Sequence, residues 1–522
     1  MARSFLVILV LLTLFACETS SEADETKKIV LLAGPKSHPP GIHEYLKAVR
    51  LIKVALDNSN VNGIETEIHL DGWPEDASTL DDADLIVTLS DGYDGRVGDR
   101  YKHVPWETPE RMEVMQRQME RGCGFSAIHF TTFMDDKKGA QILDWGGGYF
   151  DWQDDTGAPN WYSAIKTITT RITKESMANH PISNGVESFD LKEEFYYNIR
   201  FKEDDPRLIP VLSIGDLETA QENGQVVAWA VERENGGRGF STTMGHYYAN
   251  WKDDNFRKLM LNGLVWAAGV KVPESGVESG FYNDQEVTQM LFGKSKKGLI
   301  LTGNDHPAHD WKAKTPVLKN IVETGTDIYM DVTTDPNDLY EYDLNDYDLI
   351  LLNYCNWQDS VGLGEKARES FTDFLKNGGG LVVVHFANGA WHYSLPEAGS
   401  SDWPEYRKIV PRVWDHQAGS KHDKYGEFTV EKTDVTHPIT EGTTSFKTID
   451  ELYYNQAGAI EIEPLLQARS NDTGEYVPMA WTFTYGKGRI FQTVLGHSVE
   501  SLSTPEVQEI IRRGSVWVAS QN

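Results

Sequence analysis

The chain has 522 residues, a formal net charge of −30 and 40% apolar residues, a length that exceeds one ordinary hydrophobic core and calls for two large domains or three smaller ones. The charge argues against nucleic acid, which needs clustered Lys and Arg, and against a polyanionic substrate unless a local basic pocket offsets it. The 15 Trp and 22 Tyr suit aromatic cores first and sugar stacking second.

Taken in chain order, Arg3 precedes "FLVILVLLTLFA", an uncharged run too short to span a bilayer and suited to a signal-peptide core. It ends at "LFAC", which resembles the bacterial lipobox, so residues 1–16 are expected to be removed and Cys17 to carry the lipid. Residues 17–27 form a polar tether without core-forming residues. These features place the protein at the bacterial cell envelope, lipid-anchored, with the membrane as a partner through that lipid. Cys123 and Cys355 stand in different halves of the chain, so no disulfide is expected between them, and no zinc-finger spacing occurs.

The rest of the chain repeats. "DADLIVTL" from Asp82 matches "DYDLILLN" from Asp346, and "GCGFSAIHF" ending in His129-Phe130 matches "GGGLVVVHF" ending in His385-Phe386. "NHPISNG" matches "THPITEG", "EEFYYN" matches "DELYYN", and two late segments both end in Gly-His, at His246 and His497. The order of matches never changes. Unit one therefore covers 28–271, a linker with a short helix covers 272–293, and unit two covers 294–522.

Within a unit, "KKIVLLAG" and "KKGLILTG" are apolar runs ending in Gly, as buried parallel strands require. "IHEYLKAVRLIKVALDN" carries apolar residues at helical spacing, and "ESFTDFLKNGGG" is a helix with a glycine stop. The β-α-β order predicts an α/β fold with a mostly parallel sheet covered on both faces.

Ligands gather at the carboxyl ends of parallel strands. Three strand ends per unit carry His: His38 and His43, then His129, then His246 in unit one; His306 and His309, then His385, then His497 in unit two. Imidazoles at such a crevice bind a divalent transition metal, with zinc favoured, or shuttle protons. Glu194 and Glu451 precede paired tyrosines and are the candidate acid or base. His306, His385 and His497 are the expected metal set, with Glu451 beside them. His38, His129, His246 and Glu194 are the counterparts in unit one. Trp391 and Trp403 are candidate sugar contacts. His180-Pro181 and His437-Pro438 read as structural loop starts.

These motifs, with "TGNDHPAHDW" and "GKGRIFQTVLGH", resemble the ThuA-like, or trehalose-utilisation, family across nearly all of both units. The resemblance implies two tandem flavodoxin-like domains on a class I glutamine amidotransferase-like scaffold. In that scaffold His129 and His385 stand where the nucleophilic cysteine would be, so thiolate acylation loses its nucleophile. It also implies a role in carbohydrate or polysaccharide catabolism, cleaving or isomerising an oxidised (3-keto) glycoside by metal- or His-assisted proton transfer. The alternative is a non-catalytic glycan-binding lipoprotein of a polysaccharide-utilisation system; a third is one catalytic unit beside a degenerate one.

Overall fold

In each unit the apolar runs stand side by side as parallel strands. The structure, a computed structural model, describes residues 26–94, 104–396 and 398–520; Cys17, the apolar segment before it and most of the tether lie outside them. Unit one has a seven-stranded sheet. Lys27–Ala33 lies between Ile64–His69 and Leu85–Leu89, followed by Gly124–Ala127 and Arg238–Thr242, all parallel. Val226–Glu232 and Leu208–Ser213 then continue antiparallel. Unit two repeats the parallel half with Ile328–Thr333, Lys296–Leu301, Leu349–Leu352, Gly380–Val384 and Gly488–Thr493, and runs to nine strands through an antiparallel half. The fold is α/β, as the alternation of elements requires.

Register is pinned by the same device in both units. The Asp84 carboxylate accepts the Lys28 N–H at 2.9 Å, and the Asp348 carboxylate accepts the Lys297 N–H at 2.9 Å. Each fixes the first strand against its neighbour, so every strand of the parallel half ends at one edge.

The helix Tyr45–Asp57 explains why the units sit together. Val49 and Ile52 are buried in the unit-one core, while Arg50 donates to Asp331 of unit two at 2.5 Å and Lys47 pairs with Asp346. Asp331 also accepts from the Tyr347 hydroxyl at 2.7 Å, so this buried charge is fully engaged. The linker contains the helix Asp284–Phe292, opened by a capping box of Asn283 and Glu286.

Candidate metal centres at the strand ends

His385 directly follows the strand Gly380–Val384, and His129 follows the strand Gly124–Ala127 after Ile128. Both occupy the left-handed region, with φ of 53° and 50°, a conformation L-residues avoid and functional turns retain. The sharp turn aims each ring inward, and both are buried. His129 Nδ1 donates to the Thr243 carbonyl at 2.6 Å, and His385 Nδ1 to the Val494 carbonyl at 2.7 Å. Each bond sets the tautomer and leaves Nε2 as a lone pair facing the site. Gly245 and Gly496, at φ 121° and 107°, turn the next residue, His246 or His497, toward the same point.

The third ring comes from the loop after the first strand. The sequence points to His38 and His306 there, but the structure brings His43 and His309 instead. The ligand atoms of His43, His129, Glu194 and His246 lie within 4.8 Å of one another, as do those of His309, His385 and His497. His38 stacks on His43 with centroids 3.8 Å apart, and His306 stacks on His309 at 4.4 Å. His306 covers the inner ring of unit two, whereas the ligand atoms of His38, His43 and Asp91 lie within 4.8 Å of one another, a second grouping beside the unit-one cluster. The missed signal is the shared His-acid-aromatic triplet, His43-Glu44-Tyr45 and His309-Asp310-Trp311, which opens the same helix in both units.

The carboxylates close the cluster. Glu451 Oε2, His385 Nε2 and His497 Nδ1 form a triangle with sides of 3.2, 3.3 and 3.5 Å. In unit one, His246 Nδ1 stands 3.0 Å from His43 Nε2, 3.2 Å from His129 Nε2 and 3.4 Å from Glu194 Oε1. Ligand atoms sharing one tetrahedral zinc, at about 2.0–2.1 Å from it, stand about 3.3–3.4 Å apart. Three imidazole nitrogens this close, two of them committed as lone pairs, favour a cation between them; the His129 and His385 Nε2 lone pairs also accept from the Tyr196 and Tyr453 hydroxyls at 3.2 and 2.7 Å. The residues present therefore fit a divalent transition metal. His309 Nδ1 and His306 Nε2 are buried without a hydrogen-bond partner among the described residues.

Electrostatics favours the metal-binding forms. Burial holds His129, His43 and His309 well below the usual imidazole range and pushes His246 down to about 4, so these rings are neutral at pH 7. Burial alone would raise Glu451, but the His385 and His497 rings beside it, wherever a proton is shared between them and the carboxylate, hold it well below the usual carboxylate range. Burial raises Glu194. Behind them, Glu193 and Asp450 anchor the late histidine loops: Glu193 accepts from Gly245 N–H at 3.0 Å, and Asp450 from Gly496 N–H at 2.7 Å. In the sequence only the acid pairs Glu193-Glu194 and Asp450-Glu451 mark them.

The tryptophans require a correction. Trp391 is 1% exposed and Trp403 6%, packed with each other and with Tyr406 in the unit-two core. No ring face is left for a sugar. The half-buried aromatic beside the cluster is Trp357, 4.6 Å from the His306 ring. Cys355 and Cys123 are free and buried, and burial pushes both thiols up to about 12, which leaves them poor nucleophiles.

Solved structures similar to parts of this chain include a ThuA-like protein from Parabacteroides merdae (25% identity, 43% of this chain and 90% of that one, TM-score 0.38). Another, from Bacteroides uniformis, is 20% identical over 44% of this chain and 93% of that one, TM-score 0.36. A glutamine amidotransferase from Thermotoga maritima is 10% identical over 43% and 99%, TM-score 0.26. No curated protein matches the chain. Residues 36–267 and residues 297–518 each match the family described as ThuA, trehalose utilisation, and together make most of the sequence, so the chain belongs to the ThuA family as two tandem copies.

Proposed function

We propose that this protein is a metal-dependent enzyme of carbohydrate catabolism that acts on oxidised (3-keto) glycosides, tethered to the cell envelope through Cys17. The observation that carries the reading is the near-equilateral triangle of Glu451, His385 and His497, built on a repeat of the same rings in unit one. The family's description as trehalose utilisation supports a sugar substrate.

In unit two His309, His385 and His497, with Glu451, would hold the ion; in unit one His43, His129, His246 and Glu194 would do so. A bound divalent ion would supply Lewis acidity toward a ketone oxygen. The chain's own groups do the rest. A ketone makes the neighbouring C–H acidic. The free oxygen of the cluster carboxylate takes that proton and the C–H electron pair forms an enolate. The enolate is either reprotonated at the adjoining carbon while the hydroxyl proton moves to the former ketone oxygen, or it expels the glycosidic oxygen, to which the same carboxyl group returns the proton. The neutral, buried rings keep water scarce around the transfer.

The test is solvent-deuterium exchange, followed by NMR, with a panel of 3-keto disaccharides and the metal-loaded full chain. Exchange next to the ketone, lost in Glu451→Gln with Glu194→Gln, is the expected result. No exchange and no cleavage across the panel would overturn the enzymatic reading. The envelope reading predicts palmitate labelling that disappears in Cys17→Ala.

A further inference from the structure

Lys314 lies on the helix Trp311–Glu323 and is 3% exposed. It lines the pocket beneath the His306–His309 loop with Asn304, His309, Trp311, Asn353 and Phe386. Its ammonium has three donors and makes no hydrogen bond or ion pair among the described residues. The other two buried lysines do pair: Lys36 with Glu44 at 3.1 Å and Lys297 with Asp284 at 2.9 Å. An unpaired buried charge is costly, so its retention at a pocket wall points to a partner from outside.

The nearby acids do not fill that place. Asp450 and Glu451 act on Lys314 through space, but neither comes within ion-pair distance. Asp450 is occupied by the N–H groups of Glu451, Gly496 and His497 at 2.8, 2.7 and 3.2 Å, and Glu451 faces the imidazoles. Burial pushes Lys314 down to about 8, so it remains mostly charged at neutral pH. Unit one offers no such charge. Counting from the matching His43 and His309, the residue in place of Lys314 is Ala48.

We propose that Lys314 makes the unit-two pocket a subsite for a negatively charged oxygen, so that unit two takes an acidic sugar derivative and unit one does not. The sugar part rests on the carbohydrate reading above; the anion subsite does not.

Calorimetric titration of the full chain with gluconate and glucuronate, with neutral glucose, and with acetate and inorganic phosphate tests it. Saturable binding of an acidic sugar, not of glucose, is expected, weakened about 10- to 100-fold in Lys314→Met. The melting temperature of that variant is expected to hold or rise, since a buried unpaired charge is removed. Wild type binding none of the anions, or Lys314→Met binding them equally well, overturns the proposal. So does a variant that melts lower with binding unchanged, which would make Lys314 a counter-charge for Asp450 and Glu451. Lys314-dependent binding of acetate or phosphate without any sugar acid upholds the subsite and sinks the carbohydrate reading instead.

Discussion

The two units hold corresponding histidine clusters on different supports. In unit one His43 Nδ1 bonds the Tyr45 hydroxyl at 2.8 Å, and Tyr45 donates to Asp91 at 2.8 Å, a relay that fixes the ring and its tautomer. In unit two Trp311 replaces Tyr45 and Cys355 replaces Asp91, and His309 Nδ1 has no such partner. Unit two has Lys314 facing its pocket instead. The comparison teaches that the strand ends and the late carboxylate build the cluster, whereas the loop and helix after the first strand decide whether it is rigid or equipped for a ligand. On the readings proposed above, unit one would hold an ion, and unit two an ion with an anionic group beside it.

The largest expected effect concerns the Trp391–Trp403–Tyr406 core of unit two. Trp391→Ala should cost about 3–5 kcal/mol of stability through the cavity it leaves, and should leave sugar affinity unchanged. Urea unfolding together with sugar titration checks this; a loss of sugar binding in a variant of native stability would restore Trp391 as a contact.

A smaller effect separates the supports. Tyr45→Phe or Asp91→Asn should weaken metal binding in unit one about 10- to 100-fold, because the outer partner orients the ligand ring. Trp311→Phe should leave unit two unaffected. Competition with a chromophoric chelator reads both; equal losses in the two units would dissolve the contrast.

The smallest effect is a slope. Burial holds His43, His129, His246, His309 and His385 below their ordinary value of 6.5, so the unfolded chain binds more protons than the folded one below that pH. Stability is fully present above about 6.5 and is lost as pH falls from there toward the depressed folded-state values. Glu451, held below its ordinary 4.5, adds a further loss as pH falls below that value. Thermal melts from pH 7 to pH 4 should show the decline, and His129→Gln with His385→Gln should flatten its upper part.

The parallel sheets are legible in the sequence because glycine-bounded apolar runs such as "GGGLVVVHF" have few other ways to be buried. His129, His246, His385 and His497, with Glu194 and Glu451, are legible because duplication marks them twice. The third ring is not, because each first loop carries two histidines and the loops differ in length, so spacing alone cannot choose between them. Trp391 misleads: a loop tryptophan looks available and is core, since its burial is set by neighbours distant in sequence. Lys314 carries no mark in the sequence of its burial, for the same reason.

Two metal centres, one per unit, can be counted by elemental analysis of the purified chain beside His129→Ala, His385→Ala and the double variant. Close to two transition-metal ions per chain are expected, one in each single variant and none in the double. Metal content unchanged by either substitution, or no metal bound after loading with zinc, would contradict that count.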